Sequence, residues 1–215
     1  ISPESHDDNV RRIMGKPYTT NQMEDTIKNA LDHGTTKIDL YFMVGLSGQT
    51  SQSALDSVEY SRYLYKKMNK NKKIFTFTSP MAPFLDPGSI IFENPKKYGF
   101  TKVYSTLLEH KEALYQPSWK LYLSYYTDWM TRDQIAETTY EAMIRMNQLK
   151  IDMGITNVSH GEKIIFGLSK AREIMNQIDD IFNFTSDPKE IQQKLDSLKK
   201  EIDEELGLCC HVVVV

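Results

Sequence analysis

Cysteine is nearly missing from this 215-residue chain: the only two, Cys209 and Cys210, are neighbours near the C-terminus. Adjacent cysteines rarely bridge each other, so no disulfide framework and no oxidising compartment is implied, and a cytoplasmic protein is the default expectation. No stretch approaches the ~18 apolar residues that a membrane span needs, and no charged-then-apolar leader opens the chain. Strong charge of one sign is also missing. With a formal net charge of −3, no general attraction to nucleic acid or anionic lipid is expected. The densest basic cluster, Lys66 to Lys73, reads as a solvated helix end, where cations suit the dipole. The five histidines are spread out, without metal-ligand spacing. The run Cys209-Cys210-His211 has no second cluster to complete four ligands. Phosphate loops, dinucleotide fingerprints, paired-His helices and nucleophile elbows are absent.

What is there is an ordinary globular composition, with 40% hydrophobic and 26% charged residues, in two differently patterned halves. Ile1-Ser-Pro-Glu-Ser5 reads as the end of a strand running into a loop, as if the chain began inside an element of something longer. Thr20 can cap a helix whose apolar positions Met23, Ile27, Ala30 and Leu31 share a face, with Gly34 as its stop. Lys37 to Val44 is a mostly apolar run of the buried parallel-strand kind. A helix is expected from about Ser53 to Asn69, with Leu55, Val58, Tyr65 and Met68 on one stripe, then a strand at Ile74–Thr78 and a Pro-bearing loop from Ser79 to Ser89. Strand, helix, strand, helix, strand with short connections predicts parallel βαβ units with right-handed crossovers. Three strands are too few to close a barrel, and the edge strand would want a partner.

From about Tyr98 the alternation stops. Tyr104 to Met130 is rich in Tyr, Trp and Leu, and three helices follow. One is opened by the capping box Thr131–Gln134, the next by Ser159–Glu162, and the third by Asp187-Pro188. The expected division is therefore a βα unit over 1–97 and a helical extension over 98–215.

The loops after the three strands, Ile1–Ser5, Gly45–Thr50 and Ser79–Ser89, would lie on one edge by βαβ geometry. Ligands of α/β sheets bind at that edge. Glycine permits close backbone approach there, and Ser, Thr and Gln supply neutral hydrogen bonds. The residues alone name no ligand.

At these same loops the sequence resembles the radical S-adenosylmethionine (SAM) superfamily, most closely its cobalamin-binding branch. Ile1-Ser-Pro-Glu-Ser5, followed by Gly15-Lys16, is similar to that branch's fourth strand and a following Lys-containing turn, with its "G-x-E-S-G-x-x-x-V-L" pattern. Asp39 to Thr50 resembles the fifth strand's "F-M-I-G-L-P-G-E-T", and Thr78 to Ser89 the sixth strand and its Pro-Gly-Ser exit. The resemblance implies the second half of a partial (β/α) TIM-like barrel in an α/β protein. Ser2, Glu4 and Ser5 would contact the ribose and methionine parts of SAM, and Met43, Val44, Gly45 and Leu46 would pack near the adenine. Gly48, Gln49 and Thr50 would complete that turn, with Ser79 and Pro80 beside the adenine. Pro3 stands where the pattern is looser, and Ser47 and Gln49 replace the usual Pro and Glu.

The three-cysteine loop that holds a [4Fe–4S] cluster is not in the sequence. The resemblance therefore implies a fragment that would not cleave SAM alone, from a parent using a cluster and, in one form, cobalamin. That parent would make a 5′-deoxyadenosyl radical or transfer a methyl group. Tyr122, Tyr125, Tyr126 and Trp129 are candidates to line a substrate pocket in the extension, although an aromatic stripe at helical spacing is more often core. The other readings are a non-catalytic scaffold that oligomerises through its strand edge and an aldolase-like barrel. Lys37 and Asp39 open their strand at the wrong end for the latter.

Overall fold

A computed structural model describes residues 1–81 and 85–206, so Cys209, Cys210, His211 and the Val-rich tail lie outside the described residues. The elements run α1 (Asp8–Ile13), α2 (Thr20–Asp32), β1 (Ile38–Val44), α3 (Ser51–Lys67), β2 (Ile74–Pro80) and α4 (Ile90–Glu93). They continue with β3 (Phe100–Lys102), α5 (Leu107–Ala113), β4 (Tyr125–Thr127), α6 (Arg132–Asp152), α7 (Val158–Phe184) and α8 (Pro188–Leu206). The protein is α/β.

β1 and β2 pair in parallel, with Ile38 opposite Ile74 and Val44 opposite Pro80. Ile1–Ser5 runs along the other side of β1 without forming a full strand. The Tyr41 amide donates to the Ile1 carbonyl, the Glu4 amide to Tyr41 and the Met43 amide to Glu4, which gives one parallel bridge, Glu4 to Phe42. The spatial order is therefore Ile1–Ser5, β1, β2, all pointing the same way.

Alternation decides which face is covered. Ile38, Leu40, Phe42 and Val44 of β1 and Ile74, Thr76 and Thr78 of β2 are buried, while the intervening residues are not. Below this face, Met23 and Ile27 of α2, Val58, Leu64 and Tyr65 of α3, and Met146 and Leu149 of α6 complete the first core. α3 approaches with a different stripe from the expected one: Ala54, Ser57, Val58, Ser61, Leu64 and Tyr65 are buried. The hydroxyls of Ser57 and Ser61 donate back to the Ala54 and Ser57 carbonyls. A serine satisfied in this way packs as a small residue.

The region after residue 98 is not helical throughout. Phe100 and Tyr125 belong to a short antiparallel pair, β3–β4, too brief for period-2 alternation to show in the sequence. With Val44, Ala54, Leu85, Leu123, Met130 and Ile135 they form a second core above the end of β1. Helix starts also differ in detail. Thr19, not Thr20, caps α2 in a capping box with Gln22. Asn157 caps α7, two residues before the expected Ser159. Thr131 and Gln134 do form the box that opens α6.

Candidate functional site

The ends of the three parallel segments lie side by side. Glu4 bridges Phe42 and Phe42 stands opposite Thr78, so Glu4, Phe42 and Thr78 form one row across the sheet, one residue before the Met43–Ser79 pair. Ser2, Met43, Ser79 and Pro80 are half-buried.

Glu4 is the unusual member. Its φ is 67°, in the left-handed region that a β-carbon disfavours by about 1–2 kcal/mol. One carboxylate oxygen meets Lys16 Nζ at 3.0 Å. The other, Oε2, is sealed from solvent and has no hydrogen-bond partner among the described residues. The loop that follows is held by Arg11, fully buried, which donates to the Ser5 carbonyl at 2.8 Å, to Tyr18 O at 3.2 Å and to Thr20 Oγ1 at 2.9 Å. Arg11 also pairs with Asp8. The Asp8 carboxyl is held below the usual range, first by the Thr20 hydroxyl and then by Arg11. Ser5 is itself buried, and its hydroxyl accepts from the Asp7 amide.

The loop after β1 closes on itself. Gln49, 2% exposed, accepts from the Gly45 and Leu46 amides with Oε1, at 2.9 and 3.2 Å, and donates Nε2 to the Met43 carbonyl at 3.0 Å. A glutamate could not make the last bond, so the Gln of this sequence suits its role. Ser47 donates to the Tyr98 carbonyl at 2.6 Å, and Thr50 caps α3. Gly45 has φ 91°, and a β-carbon there would stand 2.9 Å from the Tyr125 hydroxyl.

The twelve candidate residues therefore separate. Met43, Ser79 and Pro80 lie together at the strand ends, Glu4 stands one row before them beside Phe42, and Ser2 lies further back, beside Tyr41. Val44 and Leu46 are core residues, whereas Ser5, Gln49 and Thr50 spend their polar groups on local structure, and Gly45 and Gly48 supply left-handed turns. Of the aromatic candidates, Tyr125 is wholly buried, Tyr122 half-buried, and Tyr126 and Trp129 exposed. Successive residues of β4 point to opposite faces, so these four do not line one pocket.

No family model, no curated protein and no solved structure matches this chain. The site rests on its own geometry. Among the described residues no group of three or more His, Cys, Asp and Glu is placed to hold a metal ion, and no helix is long and apolar enough to cross a membrane. Clefts along α7 and α8, one of about 520 Å³ lined by Ile181, Glu190, Lys194 and Leu198 among others, are open helix grooves away from the strand ends.

Two residues escaped the sequence reading. Arg11 looks like any surface arginine on a short helix. Lys150, 6% exposed, carried a signal: with Met146, Leu149 and Met153 it follows the spacing of the buried stripe of α6.

Proposed function

We propose that this chain supplies part of a SAM-binding site, as the second half of a partial (β/α) barrel of a radical SAM enzyme of the cobalamin-binding branch. The observation that carries this reading is Glu4: a strained backbone and a buried, unpartnered carboxylate oxygen, in one row with Phe42 and Thr78 near the ends of parallel strands. Backbone strain and orphaned polar atoms concentrate at ligand sites, and SAM offers an ammonium group and ribose hydroxyls to such a carboxylate. The parallel order Ile1–Ser5, β1, β2 supports the barrel reading, and the residues of the first strand end fit SAM.

A [4Fe–4S] cluster requires thiolates. This sequence offers only the adjacent Cys209 and Cys210, so these residues by themselves do not fit a cluster. When bound, the cluster would supply the electron for reductive cleavage of SAM. This chain's part is to place the nucleoside and exclude water. Cobalamin stays with the resemblance alone.

The test is SAM binding to the 215-residue chain by isothermal titration calorimetry. Glu4→Gln should weaken binding by about tenfold, the scale of one charged hydrogen bond, without lowering the thermal midpoint. A folded wild-type chain that takes up no SAM at millimolar concentration would refute the reading. A second reading, a scaffold that associates through the outer edge of Ile1–Ser5, is favoured by that segment pairing with β1 alone among the described strands. Sedimentation velocity showing a concentration-dependent dimer would support it.

A further inference from the structure

The sheet face opposite the first core is made by Asp39, Tyr41 and Met43 of β1 and Phe77 and Ser79 of β2, none of them buried, with Phe75 at its margin still touching that core. Tyr41 and Phe77, opposite each other in register, stack at 5.2 Å with 18° between their planes. Phe77 has a second neighbour: Lys150 of α6 places Nζ 4.6 Å from its ring centroid.

Lys150 is unlike the other buried lysine. Lys120, 7% exposed, is held by Asp133 and Asp179. Lys150 is at least as buried, yet no described carboxylate pairs with it and no described hydrogen bond reaches Nζ. The acid on this sheet face, Asp39, meets Lys37 at 3.0 Å through one oxygen, and its other oxygen is buried without a hydrogen-bond partner among the described residues. Nor is Nζ sealed in, as the Tyr125 hydroxyl is. Burying an ammonium with only a ring for company is unfavourable. Burial also brings the Lys150 pKa down, to about 8. An anion arriving from outside would relieve the imbalance, and the stacked rings beside it offer an apolar bed.

We propose that Lys150 and the Tyr41–Phe77 pair form a binding site for a small molecule carrying a carboxylate or phosphate on an apolar or ring-shaped body. The anionic group sits at Nζ and the body lies on the rings. This assignment rests on the reading above, in which the open sheet face is the inner, substrate side of the barrel, and it names the substrate class that reading leaves blank. The site is separate from Glu4.

The experiment titrates the 215-residue chain with benzoate and with phenyl phosphate, using benzyl alcohol as the neutral control. Binding is read by calorimetry and by the side-chain resonances of Lys150. At least one anion should bind and shift those resonances, with benzyl alcohol about tenfold weaker. The tighter of the two anions identifies the head group. Lys150→Met should lose about tenfold in affinity, Lys150→Arg should keep most of it, and Glu4→Gln should leave it unchanged. Equal binding of benzyl alcohol, wild-type affinity in Lys150→Met, or no resonance shift in the wild-type chain (a readout that needs no variant to fold) would each overturn the site. Anion binding that depends on Lys150 in a chain that ignores SAM would retain the site and discard the SAM reading.

Discussion

Lys150 should leave a signature in stability as well as in binding. Its pKa in the fold is about 8, against the ordinary 10.5, because burial disfavours the charged form. The unfolded chain therefore binds more protons between these values, and stability contributed at this site rises as pH climbs from 8 to 10.5, by at most about 3 kcal/mol. Below pH 8 the burden is fully present. Lys150→Met should be more stable than wild type at pH 7, and the gap should shrink by pH 10, as read by urea unfolding of both proteins. Gln49 predicts the opposite sign. Gln49→Ala leaves the Gly45 and Leu46 amides and the Met43 carbonyl without their partner, and should cost about 2–4 kcal/mol in the same assay. Residue type at these positions was visible in the sequence, but role was not. Gln49 belonged to a motif read as ligand-facing, yet its amide is the size and shape that its own loop needs. Lys150 sits on an apolar stripe, but lysines are ordinarily outside, so its spacing alone does not mark it as buried.

At the scale of elements, local signals carried furthest. β1 and β2 were legible from apolar runs bounded by turns, and α6 from its capping box, because those features act over a few neighbouring residues. Thr131→Ala should cost about 1 kcal/mol by thermal unfolding. The β3–β4 pair was not legible, since three-residue strands joined across residues 100 and 127 owe their existence to the core they cover. That covering can be tested at Gly45. Gly45→Ala meets both a left-handed backbone and the Tyr125 hydroxyl, and should destabilise by about 2 kcal/mol or more. Tyr125→Phe removes a buried hydroxyl that has no partner and should be nearly neutral. The double variant should recover the steric part of the Gly45→Ala loss and keep the backbone part, a coupling that a double-mutant cycle measures.

Across the whole molecule, burial is uneven. The two larger cores sit around β1 and β2 and a small one of Ala136, Tyr140 and Met175 joins α6 to α7, while α7 buries few residues and α8 comes closest to burial at Leu198, 9% exposed. Elements with so little buried apolar surface open at low free energy. Amides of α8 should exchange with solvent well before those of β1 and β2 in native-state hydrogen exchange. Parallel strands linked by helices could be read from the order of elements. That α6 underlies the first sheet could not, because nothing local joins Met146 to Thr76.

That bond between distant parts of the chain, Thr76 Oγ1 to Met146 Sδ, bears on how the protein is made. β1 and β2, once synthesised, must wait for a helix about seventy residues downstream before their underside is dry. At ribosomal speeds that delay lasts seconds. In the interval the nascent sheet would show a greasy flank to the cell, so a codon-level slowdown between residues 80 and 150 should raise its demand for chaperones.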